Sequence, residues 1–313
     1  MSKINLTPDL ACGIHTVNVM YEGQEDISEV MSNLPYIESE RVSYSLNSNK
    51  YSFKFNPSKC INMSVYGLTA YKQAFEKLRK DLHTDKLKIN RVDFRFDSFN
   101  DGDFDLYKKI NGLLILMIAQ EFNINSNTFD TKNKFTQKLL SIKADDLQRL
   151  EVENYDKSEE LKNRHKCTRS LNEIEEGVTN RLEFREKKMG ANTEGKPAGE
   201  VEIISLEKWF SRLDKALTPE NYNKVCDRLN KGLLSEWRTE TEDTTAREYL
   251  KSHCISIYNR KQLIDFFEKA GYKSPVDTAN QCRKKQKIDF YSLNDLKKYV
   301  DNLFEQAMVF IQN

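Results

Sequence analysis

The residues best suited to chemistry lie in the stretch RLEVENYDK, residues 149–157. Its alternation of apolar and polar residues predicts a β-strand, because successive side chains of a strand point to opposite faces. One face then carries an arginine, two carboxylates and a tyrosine: Arg149, Glu151, Glu153 and Tyr155. A row of charges is costly to bury unless it is paired, binds a metal ion or lines a cleft. We interpret this row as the wall of an active site.

Two further stretches repeat this alternation. In NRVDFRFDS the charged face consists of Arg91, Asp93, Arg95 and Asp97. In TNRLEFREKK it consists of Arg181, Glu183 and Arg185. An antiparallel sheet with one solvated face gives the same alternation, but exposed strands favour Thr, Lys and Ser over Asp, Glu and Arg. Consecutive strands are often neighbours, so we expect these carboxylates to converge beside Tyr155.

The composition indicates a polar globular protein that is long enough for two domains. The 313 residues carry a net charge of +1, with 31% charged and 38% hydrophobic residues, which excludes a disordered chain. The most apolar run, LLILMIA at 113–119, is too short to span a bilayer, so we expect a cytoplasmic protein with no membrane partner. Any nucleic-acid contact must come from a local basic surface.

The cysteines and histidines argue against a zinc site. The six cysteines are far apart and form no CxxC pair, and the four histidines are equally scattered. This spacing is typical of reduced thiols and not of a disulfide framework or a zinc module. Any metal site would rest on carboxylates, which favour Mg²⁺ or Mn²⁺.

The order of the predicted elements indicates an α+β fold with a helical C-terminal part. Strand-like and helical segments are mixed up to the linker MGANTEGKPAGE at 189–200, and helical patterns come after it. We predict an antiparallel-rich sheet with flanking helices as the catalytic domain over residues 1–190. A helical connecting region over 201–255 and a helix-turn-helix-like DNA-binding region over 256–313 would complete the chain.

The last sixty residues suggest a DNA-binding unit. A helix at 259–271, a turn with a glycine and a basic helix at 276–287 fit a helix-turn-helix. Residues 259–298 hold ten basic and five acidic residues, a surplus of five that suits a phosphate-binding surface. A solvated helix bundle would carry the same surplus. The predicted DNA-binding residues are Gln281, Arg283, Lys284, Lys285 and Lys287.

Four stretches in the first 190 residues resemble a known family. The order FNPSK (55–59), RVDFRFD (91–97), NYDKSEE (154–160) and RLEFRE (181–186) resembles the Rep_trans replication initiators of Gram-positive rolling-circle plasmids and related conjugative-element relaxases. The resemblance covers roughly residues 40–190. It departs at Asp156, where the family usually has Asn, and at Glu153, where the family tends to have Arg.

The resemblance implies that Tyr155 attacks a DNA phosphodiester, which leaves a 5′-phosphotyrosyl enzyme and a free 3′-OH. A phenol has a pKa near 10 and is a weak nucleophile at neutral pH, so it needs a metal ion or a base. The candidate ligands for Mg²⁺ or Mn²⁺ are Asp93, Asp97 and Glu183. The candidates for holding the phosphate are Arg95, Lys143 and Lys157.

Tyr258 is a second candidate for the nucleophile. The stretch IYNRK at 257–261 resembles the tyrosine motif of the family more closely, letter for letter, than the stretch around Tyr155 does. Tyr258, however, precedes a helical pattern and is not followed by a strand like RLEF, so we favour Tyr155.

The resemblance implies that the protein initiates rolling-circle replication of a plasmid, phage or integrative element. It would nick a double-stranded origin with a hairpin or inverted repeat, act as a homodimer and work with a host helicase. A conjugative relaxase of the same superfamily is the nearest alternative. A non-enzymatic DNA-binding protein and a metal-dependent nuclease without a covalent intermediate are two hypotheses from different functional classes.

Overall fold

The computed structural model describes residues 10–23, 25–45, 50–99, 104–122, 136–140, 150–158, 160, 177–187, 197–227, 260–286 and 291–313. The predicted site residues Lys143, Tyr258 and Lys287 lie outside the described residues, as do the side chains of Arg283, Lys284 and Lys285. Within the described ranges, no helix has the length and apolar character needed to cross a membrane.

Seven antiparallel strands form one sheet in the order β2-β3-β1-β4-β7-β6-β5. The strands are β1 (Leu10–Glu22), β2 (Ile37–Ser45), β3 (Lys50–Phe55), β4 (Leu87–Ser98), β5 (Thr136–Leu140), β6 (Leu150–Asp156) and β7 (Asn180–Lys187). The predicted α+β class with an antiparallel sheet is confirmed.

The helices lie between and after the strands. They are α1 (Ser28–Ser32), α2 (Pro57–Ile61), α3 (Leu68–Asp81), α4 (Phe104–Glu121), α5 (Glu200–Ala216), α6 (Arg260–Lys269), α7 (Pro275–Gln286) and α8 (Leu293–Gln312). Residues 219–227 are also helical and begin at Pro219, a residue type that suits the first turn of a helix.

The chain divides into two compact units, and neither is continuous in sequence. A sheet unit comprises residues 8–104, 127–211 and 302–313. A helical unit comprises residues 1–7, 105–126 and 212–301. The domain boundaries drawn from the sequence stay a prediction.

The core of the sheet unit lies on the apolar face of the sheet, against α5. Trp209 of α5 stacks on Phe184 of β7 with ring centroids 4.9 Å apart, and Phe210 meets Phe96 of β4 edge to face at 6.5 Å. Residues 92–98 of β4 are all buried, so the opposite, charged face of this strand is covered as well. Burial of that face requires its charges to be paired.

The stretch FNPSK forms the end of β3 and the start of α2. The Asn56 side chain accepts a hydrogen bond from the Lys59 backbone N–H (3.1 Å), and Pro57 occupies the first helical position, as is typical of a helix start. The Ser58 hydroxyl then accepts from the Val65 backbone N–H at 3.2 Å. These contacts fix the course of residues 62–66, which come directly after α2.

Residues 62–66 pass close to β1 at Gly13. The Ile14 N–H donates to the Val65 carbonyl oxygen at 3.3 Å. A Cβ atom at Gly13 would lie 2.3 Å from the same oxygen. Because real Cβ atoms do not approach an oxygen so closely, a glycine is required here.

The helical unit has a separate core. The apolar run of α4 is buried, and Tyr107 of this helix contacts Tyr299 of α8 with ring centroids 6.3 Å apart. The helices α6 and α7 are joined by a turn that contains Gly271 at φ 82°. Across this helix pair, Arg260 Nε donates to Asn280 Oδ1 at 3.0 Å. The helix-turn-helix assignment stays a prediction.

Candidate active site

The strand register brings the three charged stretches side by side, because β7 pairs with β4 on one side and with β6 on the other. Three rows of facing residues cross the strands in the order β4, β7, β6: Asp97–Arg181–Tyr155, Arg95–Glu183–Glu153 and Asp93–Arg185–Glu151. Directly opposite residues in neighbouring strands lie about 5 Å apart. The three charged stretches are therefore adjacent in the structure, as expected from the sequence, and Tyr155 lies in the row at one end of their shared face.

Tyr155 lies within this charged face with 8% of its surface exposed. Its hydroxyl group donates a hydrogen bond to Glu183 Oε1 at 2.8 Å. Lys157, which is fully buried, places Nζ 5.8 Å from the centroid of the Tyr155 ring and 2.7 Å from Glu160 Oε2. Two of the predicted site residues, Tyr155 and Glu183, are thus in direct contact.

The Glu183 carboxylate remains ionised despite its burial. Burial alone would raise its pKa, but positive charges near it hold the pKa well below the ordinary value: His15, which is protonated in acid, Arg185 and Arg181. Arg185 donates to Glu183 Oε2 from Nε at 3.0 Å and from Nη2 at 2.6 Å. Glu183 is therefore a permanent acceptor for the tyrosine hydroxyl at neutral pH.

The pKa of Glu183 limits what it can do to Tyr155. A phenol with a pKa near 10 and a carboxyl below its ordinary 4.5 differ by more than about 5 units, or roughly 7 kcal/mol. Glu183 therefore does not deprotonate Tyr155 before a reaction begins. It orients the hydroxyl and can take the proton only as the oxygen forms a new bond.

Arg185 connects the carboxylates of all three strands. Besides Glu183, it lies 2.5 Å from Glu151 Oε1 and 2.5 Å from Glu153 Oε2, and its Nε is 3.9 Å from Asp93 Oδ2. Burial alone would lower the pKa of the guanidinium, but these carboxylates raise it above its ordinary value. The cluster is thus a paired network, as its burial requires.

Asp97 and Arg181 form a second, fully buried pair. Arg181 donates to Asp97 from Nε at 2.6 Å and from Nη2 at 2.9 Å, and both side chains have no exposed surface. The Tyr66 hydroxyl also donates to Asp97, at 2.8 Å. Arg95 lies 3.4 Å from Asp97 and places its guanidinium over the Tyr66 ring at 4.7 Å.

The predicted metal ligands do not converge on one point. Asp93 is held by Arg91 at 2.5 and 2.8 Å and by the Thr16 hydroxyl at 2.5 Å. It lies four residues from Asp97 on β4, a Cα separation of about 13 Å. Two oxygen ligands of one Mg²⁺ ion lie at most about 4 Å apart. Asp93, Asp97 and Glu183 therefore do not fit a single ion as they stand.

Clusters of metal-binding residue types are also missing from the described part of the chain. It contains no group of three or more His, Cys, Asp or Glu residues that could hold an ion. The requirement for Mg²⁺ or Mn²⁺ stays a prediction, without a ligand set in the described residues.

Two residues of the site are not recognisable from the sequence. His15 lies at a β-bulge of β1, where the pairing with β4 shifts between Ile14 and Thr16. A bulge inserts an extra residue and redirects a side chain, which simple alternation does not predict. Tyr66 lies outside the strands and reaches Asp97 only because α2 and Gly13 bring residues 62–66 close to β1.

Three side chains in the middle of the charged face are partly exposed. There the side chains of His15, Arg185 and Glu153 keep 13%, 14% and 15% of their surface exposed. Their mixed charges suit a polar ligand and not an apolar one.

The predicted DNA-binding residue Gln281 lies in the helical unit. It is exposed on α7, next to Asn280, whose side chain accepts a hydrogen bond from Arg260. Exposed basic residues in the same helix pair are Arg260, Lys261 and Lys269. DNA binding by this pair stays a prediction.

No protein-family model and no curated protein matches the chain. Among solved structures, a rolling circle replication initiator protein from Geobacillus stearothermophilus is similar over 63% of this chain and 84% of its own, with 13% sequence identity and a TM-score of 0.31. At this identity and TM-score the similarity decides neither the fold nor the activity of this chain.

Proposed function

We propose that this protein is a DNA nickase that uses Tyr155 as its nucleophile and initiates rolling-circle replication. The contact that carries the proposal is the 2.8 Å hydrogen bond from the Tyr155 hydroxyl to the ionised Glu183 carboxylate. This contact lies in a sheet face that also holds Arg95, Arg181 and Arg185. The order of the four stretches that resemble the Rep_trans family supports the same activity.

The proposed step is a transesterification. The Tyr155 oxygen attacks the phosphorus atom of one phosphodiester, and its proton passes to Glu183 as the new P–O bond forms. The bond from phosphorus to the 3′ oxygen breaks, and that oxygen takes a proton to become a free 3′-OH. The 5′ phosphate remains on Tyr155, and attack by the 3′-OH reverses the step and reseals the strand.

Cations beside Tyr155 would stabilise the additional negative charge on the five-coordinate phosphorus. Arg181 faces Tyr155 across the β6–β7 pair, and the buried Lys157 lies beside its ring. Arg95 is one row further along the strands. Arg181 already donates two hydrogen bonds to Asp97, so a bound phosphate competes with this carboxylate for them.

The biological context comes from the resemblance. We propose a double-stranded origin with a hairpin or inverted repeat as the substrate, a homodimer as the active form, and a host helicase as a partner. Gln281 and the basic residues after it would contact DNA. A conjugative relaxase would perform the same chemistry and differ only in the fate of the nicked strand.

The test compares the wild type with Tyr155→Phe and Tyr258→Phe on supercoiled DNA from the element that encodes the protein, with Mg²⁺ or Mn²⁺. Tyr51→Phe is a matched control, because Tyr51 is a buried tyrosine of the same sheet whose hydroxyl donates to Asp26 at 2.9 Å. We expect nicked circles and a protein–DNA adduct with the wild type and Tyr51→Phe, and neither with Tyr155→Phe.

The remaining outcomes each have a clear meaning. Loss of the adduct with Tyr258→Phe alone would identify Tyr258, which precedes α6 in the sequence, as the nucleophile. Nicking without an adduct would favour a nuclease without a covalent intermediate. Binding of the DNA by the wild type with no nicking would favour a non-enzymatic DNA-binding protein.

A further inference from the structure

His15 lies on the charged face, at the bulge of β1. Its Nδ1 atom lies 3.2 Å from Arg181 Nη1, and its Nε2 atom lies 3.8 Å from Glu183 Oε1. Glu183 Oε1 is the same oxygen that accepts the Tyr155 hydroxyl. The imidazole therefore bridges the arginine beside Tyr155 and the carboxylate bonded to it.

The arginine contact determines which nitrogen of the imidazole carries the proton. A guanidinium only donates hydrogen bonds, so the Nδ1 atom that faces Arg181 must present a lone pair. A neutral imidazole then carries its proton on Nε2, and this N–H points to Glu183 Oε1. At 3.8 Å the contact is longer than a hydrogen bond, and catalytic contacts of this kind often shorten once the substrate is bound.

We infer that His15 is a positioning residue for the nicking reaction, whose Nε2–H group holds the Glu183 carboxylate in the orientation that accepts the Tyr155 hydroxyl. This inference rests on the proposed function. His15 acts through Glu183, the residue that accepts the Tyr155 hydroxyl. Its side chain lies on the charged face, opposite the buried Ile14 that precedes it and pairs with Phe94.

The tautomer of His15 can be measured without any activity. Long-range ¹H–¹⁵N correlation spectra of the ¹⁵N-labelled full chain separate Nδ1-protonated, Nε2-protonated and doubly protonated imidazoles, and the signals of His15 are those missing from His15→Gln. We expect the proton on Nε2 and none on Nδ1. A proton on Nδ1, or on both nitrogens, would overturn the inference because Arg181 could not then donate to Nδ1.

The positioning role is tested by single-turnover kinetics of adduct formation on the cognate DNA, with DNA affinity measured in parallel. We expect His15→Ala to slow adduct formation about tenfold with unchanged affinity, the size expected for one lost hydrogen bond to a charged group. His15→Gln should recover most of the rate, because its amide N–H can reach the position of Nε2–H. His83→Ala, which changes an exposed histidine after α3, is the matched control.

The outcomes separate this inference from the proposed function. A wild type that forms no adduct overturns both. If the wild type and His15→Ala form the adduct at the same rate, the positioning role alone is overturned. The same holds if His15→Ala and His15→Gln lose the same share of the wild-type rate. Melting temperatures of the variants check that they remain folded.

Discussion

Replacing Glu183 by glutamine keeps the shape of the side chain and removes the charge that accepts the Tyr155 hydroxyl. In the wild type this carboxylate receives the hydroxyl at 2.8 Å and two donors of Arg185 at 2.6 and 3.0 Å. The glutamine oxygen can still accept one of these hydrogen bonds. It cannot take the tyrosine proton, because a neutral amide is a far weaker base than a carboxylate.

The expected effect on the reaction is large. Loss of a positioned proton acceptor typically slows a reaction by about 10²- to 10⁴-fold. Because the low pKa of Glu183 excludes deprotonation before attack, this loss should affect the rate of adduct formation. DNA affinity should remain close to that of the wild type.

The expected effect on stability is small, because Arg185 keeps two other carboxylate partners, Glu151 and Glu153, at 2.5 Å. We expect Glu183→Gln to cost about 1–2 kcal/mol at neutral pH. Asp97→Asn is the contrasting variant, since it removes the carboxylate that Arg181 contacts through two hydrogen bonds in a fully buried pair. Its expected cost is about 3–5 kcal/mol.

Acid titration provides a second measurement of the Glu183 charge. The folded state lowers the pKa of Glu183 below its ordinary 4.5. Its charge therefore contributes stability above about pH 4.5 that is lost as the pH falls toward the folded pKa. Glu183→Gln should lack this part of the acid destabilisation, so the two stability curves should converge in acid.

The assay measures single-turnover adduct formation and urea unfolding midpoints for the wild type and both variants. The reasoning would be refuted if folded Glu183→Gln formed the adduct at the wild-type rate. A larger stability loss for Glu183→Gln than for Asp97→Asn would contradict the ion pairing described for the two sites.

Three further predictions concern the sheet unit and its chemistry. Gly13→Ala should destabilise the protein by about 1–3 kcal/mol, because its Cβ would lie 2.3 Å from the Val65 carbonyl oxygen. A urea unfolding midpoint equal to that of the wild type would contradict this close approach. Glu202 is buried at the start of α5 and accepts a hydrogen bond from the Gly199 N–H at 2.5 Å. Burial raises its pKa above the ordinary 4.5. Glu202 therefore contributes stability below about pH 4.5, and this stability is lost as the pH rises through the folded pKa. Glu202→Gln should flatten this decline, and an unchanged pH dependence of unfolding would contradict the raised pKa. Chelation with EDTA should abolish nicking and leave the melting temperature unchanged, whereas full activity in EDTA would exclude the predicted Mg²⁺ or Mn²⁺.

The period-two pattern of the sequence predicted much of the sheet and its charged face. Side-chain alternation assigns Asp93, Asp97 and Glu183 to polar faces whatever the neighbouring strands are. The start signals of the helices were equally local: Pro219 begins the helical residues 219–227 as its type predicts. In FNPSK, Asn56 and Pro57 likewise begin the short helix α2.

Contacts between distant residues could not be predicted in the same way. Both aspartates lie on one face of β4, but their separation along the strand, and the arginines opposite them, prevent a shared ion with Glu183. The sequence does not show which arginine faces which carboxylate. Nor does it show that residues 62–66 bring Tyr66 to Asp97. The ligand set stays a prediction, and in this register each of its carboxylates is paired with an arginine.

The sequence by itself determined which residues share a strand face, because that property depends only on the alternation of side chains along one segment. The tertiary structure alone decided that Glu183 lies between Arg95 and Glu153, and that Arg185 joins three strands. It alone decided that His15 of β1 reaches Arg181 and Glu183 of β7. These contacts depend on strand order and register, which are set by the packing of the whole sheet unit and not by any one stretch of the chain.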